Sequence, residues 1–185
     1  MNLEERISKY NRIIRKYATA EKLSPELVAG VIEHESAFDN WAMKYEPHYS
    51  WLYGDDEREK TEVIRGLLKK IDNRTEWKAQ QFSYGLMQIM GAVAREYGFA
   101  GKYLTELCEA SLGVKYGCMH LKKQIKRYKG NINKGLASYN AGSARYLENG
   151  NFVNQRYVDS VLMNMEAIKN LGLLRNKRDV KFTLT

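Results

Sequence analysis

The sequence predicts a mainly α fold. Three observations carry this. Apolar residues recur at three- and four-residue spacing through most of the 185 residues, no series of alternating strands appears, and only two prolines interrupt the chain. The length fits one domain, 1–185, with enough chain for a sizeable core. No Pro-rich or Gly/Ser-rich linker and no internal repeat divides it.

The first helix is expected from the stripe Leu3, Ile7, Tyr10, Ile14 and Tyr17. "SPELVAGVIEHES" follows, with Ser24 placed to cap the helix and Pro25 at its first position. Val63, Ile64, Leu67, Leu68 and Ile71 form another stripe in a charged segment. A long helix is expected from Ala110, Val114, Cys118, Leu121, Ile125 and Tyr128, ending at "KGN". Tyr157, Val161, Met165 and Ile168 predict a last helix stopped near Gly172. A minor β-hairpin in residues 40–55, or in the tail, remains compatible with the pattern.

Composition narrows the function classes. The net charge of +8 is uneven: residues 1–92 sum to −1 and residues 93–185 to +9. The basic runs "KKQIKRYK" (Lys122 to Lys129) and "RNKRDVK" (Arg175 to Lys181) favour a polyanionic surroundings such as an anionic cell envelope. No helix-turn-helix or zinc signature supports nucleic acid, so none is expected as partner. His34, His48 and His120 lack metal-ligand spacing, and neither metal nor cofactor is expected. Cys108 and Cys118, on or beside one helix, are expected to be buried, reduced thiols. The start "MNLEERISKYNRII" does not read as a signal peptide, and no apolar run is long enough to span a membrane.

Within "VIEHESAFDNWAMKYEP" helical phase separates two glutamates. Glu35 continues the face of Leu27 and Val31, whereas Glu33 lies about 200° around the axis and is expected to be solvated. A carboxyl at the end of an apolar stripe, near a helix C-terminus, is expected to titrate high, as a general acid must. The other reading of Glu35 is a core-edge carboxylate paired with a basic residue. His34 is expected to pack or face water.

Two further segments carry unusual chemistry. "SYGLMQIM" groups Ser83, Gly85, Met87 and Gln88: a close-approach glycine, an adaptable apolar wall and a donor–acceptor amide. "LASYNAGSARY" places Tyr139 and Asn140 before Gly142, which also fits a left-handed helix cap.

In that order, "ES-A-F", "GLMQI" and "YNAG" resemble the three-part signature of the soluble lytic transglycosylase family, the goose-type lysozyme-like catalytic domain. The resemblance covers core motifs over 27–165, with an insertion at about 40–80. It implies a lysozyme-like fold with a cleft, Glu35 as catalytic acid, and Ser83, Met87, Gln88, Tyr139 and Asn140 as substrate-binding residues. Glu35 and Gly85 stand 50 positions apart, more than in compact members, and "KYEP" in that interval resembles phage-type members. It adds Glu46 as a substrate-contacting residue or second carboxylate, with Asp39, Asp55, Asp56 and Asp72 as weaker candidates. Tyr45, Tyr49, Trp51 and Tyr53 suit a sugar-binding wall or anchor the insertion to the core.

The expectation is therefore a monomeric enzyme that cleaves the MurNAc–GlcNAc bond of the peptidoglycan glycan strand with one glutamic acid. A 1,6-anhydro product and an endolysin-like setting, with release to the wall by another factor or carriage in a virion, complete it. The alternatives are a hydrolytic muramidase using a second carboxylate and a non-catalytic wall-binding module.

Overall fold

The computed structural model describes residues 1–54, 66 and 72–174. The stripe Val63–Ile71 and the run Arg175–Lys181 lie outside the described residues. Contacts group the chain into two units, Met1–Phe38 with Leu121–Thr185, and Asp39–His120.

The first unit is helical. Helix α1 (Leu3–Ala20) buries Ile7, Tyr10, Ile14 and Ala18. Helix α2 (Pro25–Ser36) starts as expected: the Ser24 side chain accepts from the Leu27 N–H, and Pro25 needs no donor there. Its end is less ordinary. Ala37 and Phe38 are both left-handed, at φ 48° and 64°, a conformation that L-residues adopt at a cost. The Ala37 carbonyl accepts from Arg6 Nη1 at 2.9 Å, and Phe38 stacks on Tyr10 at 6.2 Å, which offsets that cost.

Arg6 also reaches Glu33, with 3.1 Å between Nη1 and Oε2. Glu33 is thus half-buried and clasps α2 to α1 rather than standing solvated, because the Arg6 guanidinium of α1 reaches both of its oxygens. The apolar stripe of α2 meets helix α7 (Gln155–Leu171). Gly30 makes the crossing close: a Cβ there would stand 2.8 Å from the Val161 carbonyl oxygen and 3.0 Å from the Met165 nitrogen. Helix α6 (Ile132–Ala141) ends at Gly142, left-handed at φ 74°, as the sequence suggested. Helix α7 stops at the left-handed Gly172.

The second unit holds the sheet. Strands β1 (Met43–Tyr45), β2 (Phe82–Tyr84) and β3 (Ile89–Met90) pair antiparallel in the order β1-β2-β3. Lys44 pairs with Ser83, and Ser83 with Met90. The hairpin therefore sits in the "GLMQ" block itself, with β1 added from the 40–55 segment, rather than lying within that segment alone.

Helices α3 (Asn73–Gln80) and α4 (Gly91–Glu96) flank the sheet in sequence, and a short 3-10 helix (Leu104–Cys108) precedes helix α5 (Ala110–Arg127). Asp72 caps α3 through the Thr75 N–H. The core gathers Tyr84, Ile89, Phe99, Leu107 and Tyr116. Inside it lies a buried ion pair, Arg95 Nε to Glu76 Oε1 at 2.8 Å, with Arg95 Nη1 donating to the Phe99 and Gly101 carbonyls. Cys108 and Cys118 are buried and form no disulfide with one another; they lie on the 3-10 helix and α5 respectively, so no continuous helix joins them.

The division between units falls within α5, at Leu121. Among the described residues no helix is long and apolar enough to cross a membrane.

Candidate active site

Glu35 lies in the last turn of α2 and is partly exposed. A phenol reaches it: Tyr157 Oη donates to Glu35 Oε1 at 2.8 Å. The two residues are 122 positions apart in sequence. The Gly30 crossing explains the meeting. Tyr157 is one turn of α7 before Val161, and Glu35 is a little over one turn of α2 beyond Gly30, so close backbone packing at 30 and 161 sets the side chains within reach.

The phenol is almost fully buried. Its pKa is raised well above the ordinary tyrosine value, first by burial, then by the charges of Glu35 and Tyr139 and by the bond to Glu35. Tyr157 therefore stays a proton-bearing donor to this carboxyl across the working pH range.

His34 is not isolated from this pair. Its ring stands edge-on to Tyr157, with centroids 4.7 Å apart and planes at 81°, and its Nδ1 lies 2.8 Å from Ser160 Oγ on α7. Burial lowers its pKa from 6.5, favouring the neutral imidazole. It stays exposed and at the same time packs edge-on against the ring that holds Glu35.

Tyr139, half-buried on α6, belongs to the same neighbourhood through its electrostatic influence on Tyr157. Asn140 is exposed, and its Oδ1 accepts from Asn154 Nδ2 at 2.9 Å; Asn154 also donates to the Ala137 carbonyl at 3.0 Å. This tie fastens the end of α6 to the residue before α7. Asn140 thus accepts from Asn154, and Glu35 accepts from Tyr157.

The remaining expected residues lie in the second unit. Ser83 Oγ donates to Gln88 Oε1 at 2.8 Å. Gln88 Nε2 donates to the Ala42 carbonyl at 2.9 Å and the Gly85 carbonyl at 3.0 Å. Both amide hydrogens are thereby used, and the side chain laces the β2–β3 turn to the residue before β1, while its own backbone is left-handed at φ 46°. Met87 is completely buried, and a Cβ at Gly117 of α5 would stand 2.6 Å from its Cβ and Sδ, so the glycine makes room for it.

Glu46 pairs with Lys44 at 2.6 Å. Asp39 accepts from the Trp41 N–H, and Asp72 serves the α3 cap. Asp55 and Asp56 lie outside the described residues. Among the described residues no group of His, Cys, Asp and Glu gathers as a metal site.

Tyr157 was visible in the sequence only as a member of an apolar stripe. Its signal was the hydroxyl: a tyrosine among Val161, Met165 and Ile168 needs a polar partner once buried. Gln80 and Gln81, which hold a loop of the second unit, gave no such signal.

A helical fold with a small antiparallel sheet is that of a lysozyme-like domain. The family model for the transglycosylase SLT domain matches residues 12–157, and the chain belongs to that family. It is a lytic transglycosylase acting on peptidoglycan.

Proposed function

We propose that Glu35 is the single acid–base group of this enzyme and that the product ends in 1,6-anhydro-MurNAc. The observation that carries this is the environment of Glu35: the partner that reaches it across 122 positions is a permanently protonated phenol. Among the described candidates, Asp39 and Asp72 are committed to local turns and Glu46 to Lys44, which supports chemistry without one of these as a second carboxylate.

In this mechanism the Glu35 proton passes to the bridging oxygen as the C1–O bond breaks, and positive charge develops on the muramic ring. The Glu35 carboxylate then takes the proton of that ring's C6 hydroxyl while O6 bonds to C1. No water is consumed and the acid is regenerated. Tyr157 keeps the carboxyl in one orientation through both steps. Tyr139 stands beside Tyr157, and Asn140 presents an exposed amide to solvent.

Mass spectrometry of purified-wall digests tests the proposal. Anhydro ends with the wild type and no cleavage with Glu35→Gln are expected. Ends one water heavier would transfer the reading to a hydrolytic muramidase, and cleavage surviving in Glu35→Gln would remove Glu35 from it.

The setting we favour is that of a phage endolysin, monomeric, reaching the wall with the help of a separate membrane pore. The "KYEP" resemblance to phage-type members supports it. Lysis of a producing culture only when a pore-forming protein is co-expressed is the expected result. The basic residues Lys122, Lys123, Lys126 and Arg127 at the end of α5 suit an anionic envelope, so wall cleavage is expected to fall with added salt.

A further inference from the structure

The segment Tyr49–Tyr53 is held at both ends and exposed in the middle. Gln81 Nε2 donates to the Tyr49 carbonyl at 3.1 Å. Gln80 grips Tyr53 twice: its Oε1 accepts from the Tyr53 N–H at 2.8 Å, and its Nε2 donates to the Tyr53 carbonyl at 3.0 Å. Gln80 is itself buried and bonded to Glu76 at 3.1 Å, the carboxylate of the buried Arg95 pair. Two adjacent glutamines at the end of α3 therefore fix the loop to a rigid core.

What the loop displays is an indole. Trp51 is 82% exposed, so it does not anchor the insertion to the core. It lines a cavity of about 470 Å³ with Tyr49, Leu52, Tyr53 and, from α4, Ala92 and Glu96. That volume is in the range of small-ligand sites.

The lining has two kinds of surface: flat aromatic and aliphatic area, and the polar atoms of phenols and a carboxylate. A pyranose ring matches this pattern, with an apolar C–H face and an edge of hydroxyls and an acetamido group. Tyr49 has its pKa raised, first by burial and then by the charge of Glu96, so its hydroxyl remains a donor.

We propose that this cavity is a glycan-holding site for an N-acetylhexosamine ring, with Trp51 as the stacking platform and Glu96 accepting from sugar hydroxyls. It is formed wholly by the second unit, whereas Glu35 and Tyr157 belong to the first. The loop is preorganised by its two glutamines, so little ordering opposes binding. The site rests on the peptidoglycan-cleaving reading for its natural ligand, but its saccharide affinity is a property of these six residues.

The test uses the full chain carrying Glu35→Gln, which leaves saccharide intact. Tetra-N-acetylchitotetraose and peptide-stripped wall glycan are the probes, read by tryptophan fluorescence and by pelleting with walls. Saturable binding is expected, weakened about tenfold or more by adding Trp51→Ala and unchanged by adding Trp41→Ala, another exposed indole of the same unit. In the active enzyme Trp51→Ala is expected to raise KM on walls with kcat nearly unchanged. Thermal unfolding of each variant confirms the fold.

Binding unaffected by Trp51→Ala, or equal loss in both tryptophan variants, overturns the site. So does binding that requires the stem peptides, since the occupant would then be peptide. If the wild type forms no cleavage product while Trp51→Ala still abolishes saccharide binding, the catalytic reading falls and this site stands. If cleavage proceeds and Trp51→Ala changes neither binding nor KM, only this site falls.

Discussion

Gly30→Ala tests the link between helix packing and the acid. In an open helix the change would stabilise by about 1 kcal/mol through helix propensity. Here the new methyl would meet the Val161 oxygen at 2.8 Å, the Met165 nitrogen at 3.0 Å and the Met165 Cα at 3.2 Å. All three are backbone atoms, so no rotamer change relieves the overlap and α7 must move away from α2. Overpacking of this kind costs about 1–3 kcal/mol, and a wholly backbone contact belongs at the upper end. The net loss is about 2 kcal/mol, a fall in Tm of roughly 4–8 °C for a chain of this size. The same displacement carries Tyr157 from Glu35 and lengthens their 2.8 Å bond, so wall cleavage is expected to drop about tenfold even where the variant is folded. Calorimetry and a turbidity assay on purified walls measure both. A Gly30→Ala protein with unchanged Tm and full activity would refute the claim that this crossing positions the phenol.

Three other outcomes follow from the structure. Arg95→Ala leaves Glu76 as an uncompensated carboxylate in a site where the two side chains are 0% and 2% exposed; urea unfolding should show a loss of about 3–5 kcal/mol. Gln88→Glu keeps the shape but turns two donated bonds, to the Ala42 and Gly85 carbonyls, into repulsions, and should cost about 2–3 kcal/mol by the same measurement; wild-type stability would dismiss the clamp. His34 has a folded pKa below its ordinary 6.5, so the unfolded chain takes the proton first as pH falls. Its contribution is fully present above that value, is lost between it and the lower folded pKa, and is constant below both. The His34→Gln variant should show a shallower decline of stability across this acid window in pH-resolved urea titrations.

The helices could be read in the sequence because each carries its own evidence. Ile7, Tyr10 and Ile14 repeat at helical spacing, Ser24 and Pro25 mark a start, and Gly142 and Gly172 mark ends. The sheet could not be read this way. Strands of three, three and two residues are too short to display alternation, and β1 finds its partner 39 positions away, across the insertion. The separate directions of Glu33 and Glu35 followed from helical phase, but phase says nothing of neighbours. That Arg6 waits beside Glu33, and Tyr157 beside Glu35, depends on which helices pack together. For Gln88 the sequence supplied a donor and an acceptor; the tertiary structure decides that both face the turn. For Gln80 and Gln81 it supplied only two unremarkable amides, whose work is visible only against the loop they hold.

The stop after α2 has a practical meaning for anyone improving this enzyme. Helices commonly end on a left-handed glycine, yet here an alanine and a phenylalanine occupy consecutive left-handed positions directly after the "HES" block. Phe38 is committed to Tyr10, but Ala37 offers only its backbone to Arg6. Ala37→Gly should therefore gain about 1 kcal/mol by releasing strain while leaving the Arg6 bond in place. The position is a reserve of durability that natural selection has left unspent, within two residues of the proposed acid.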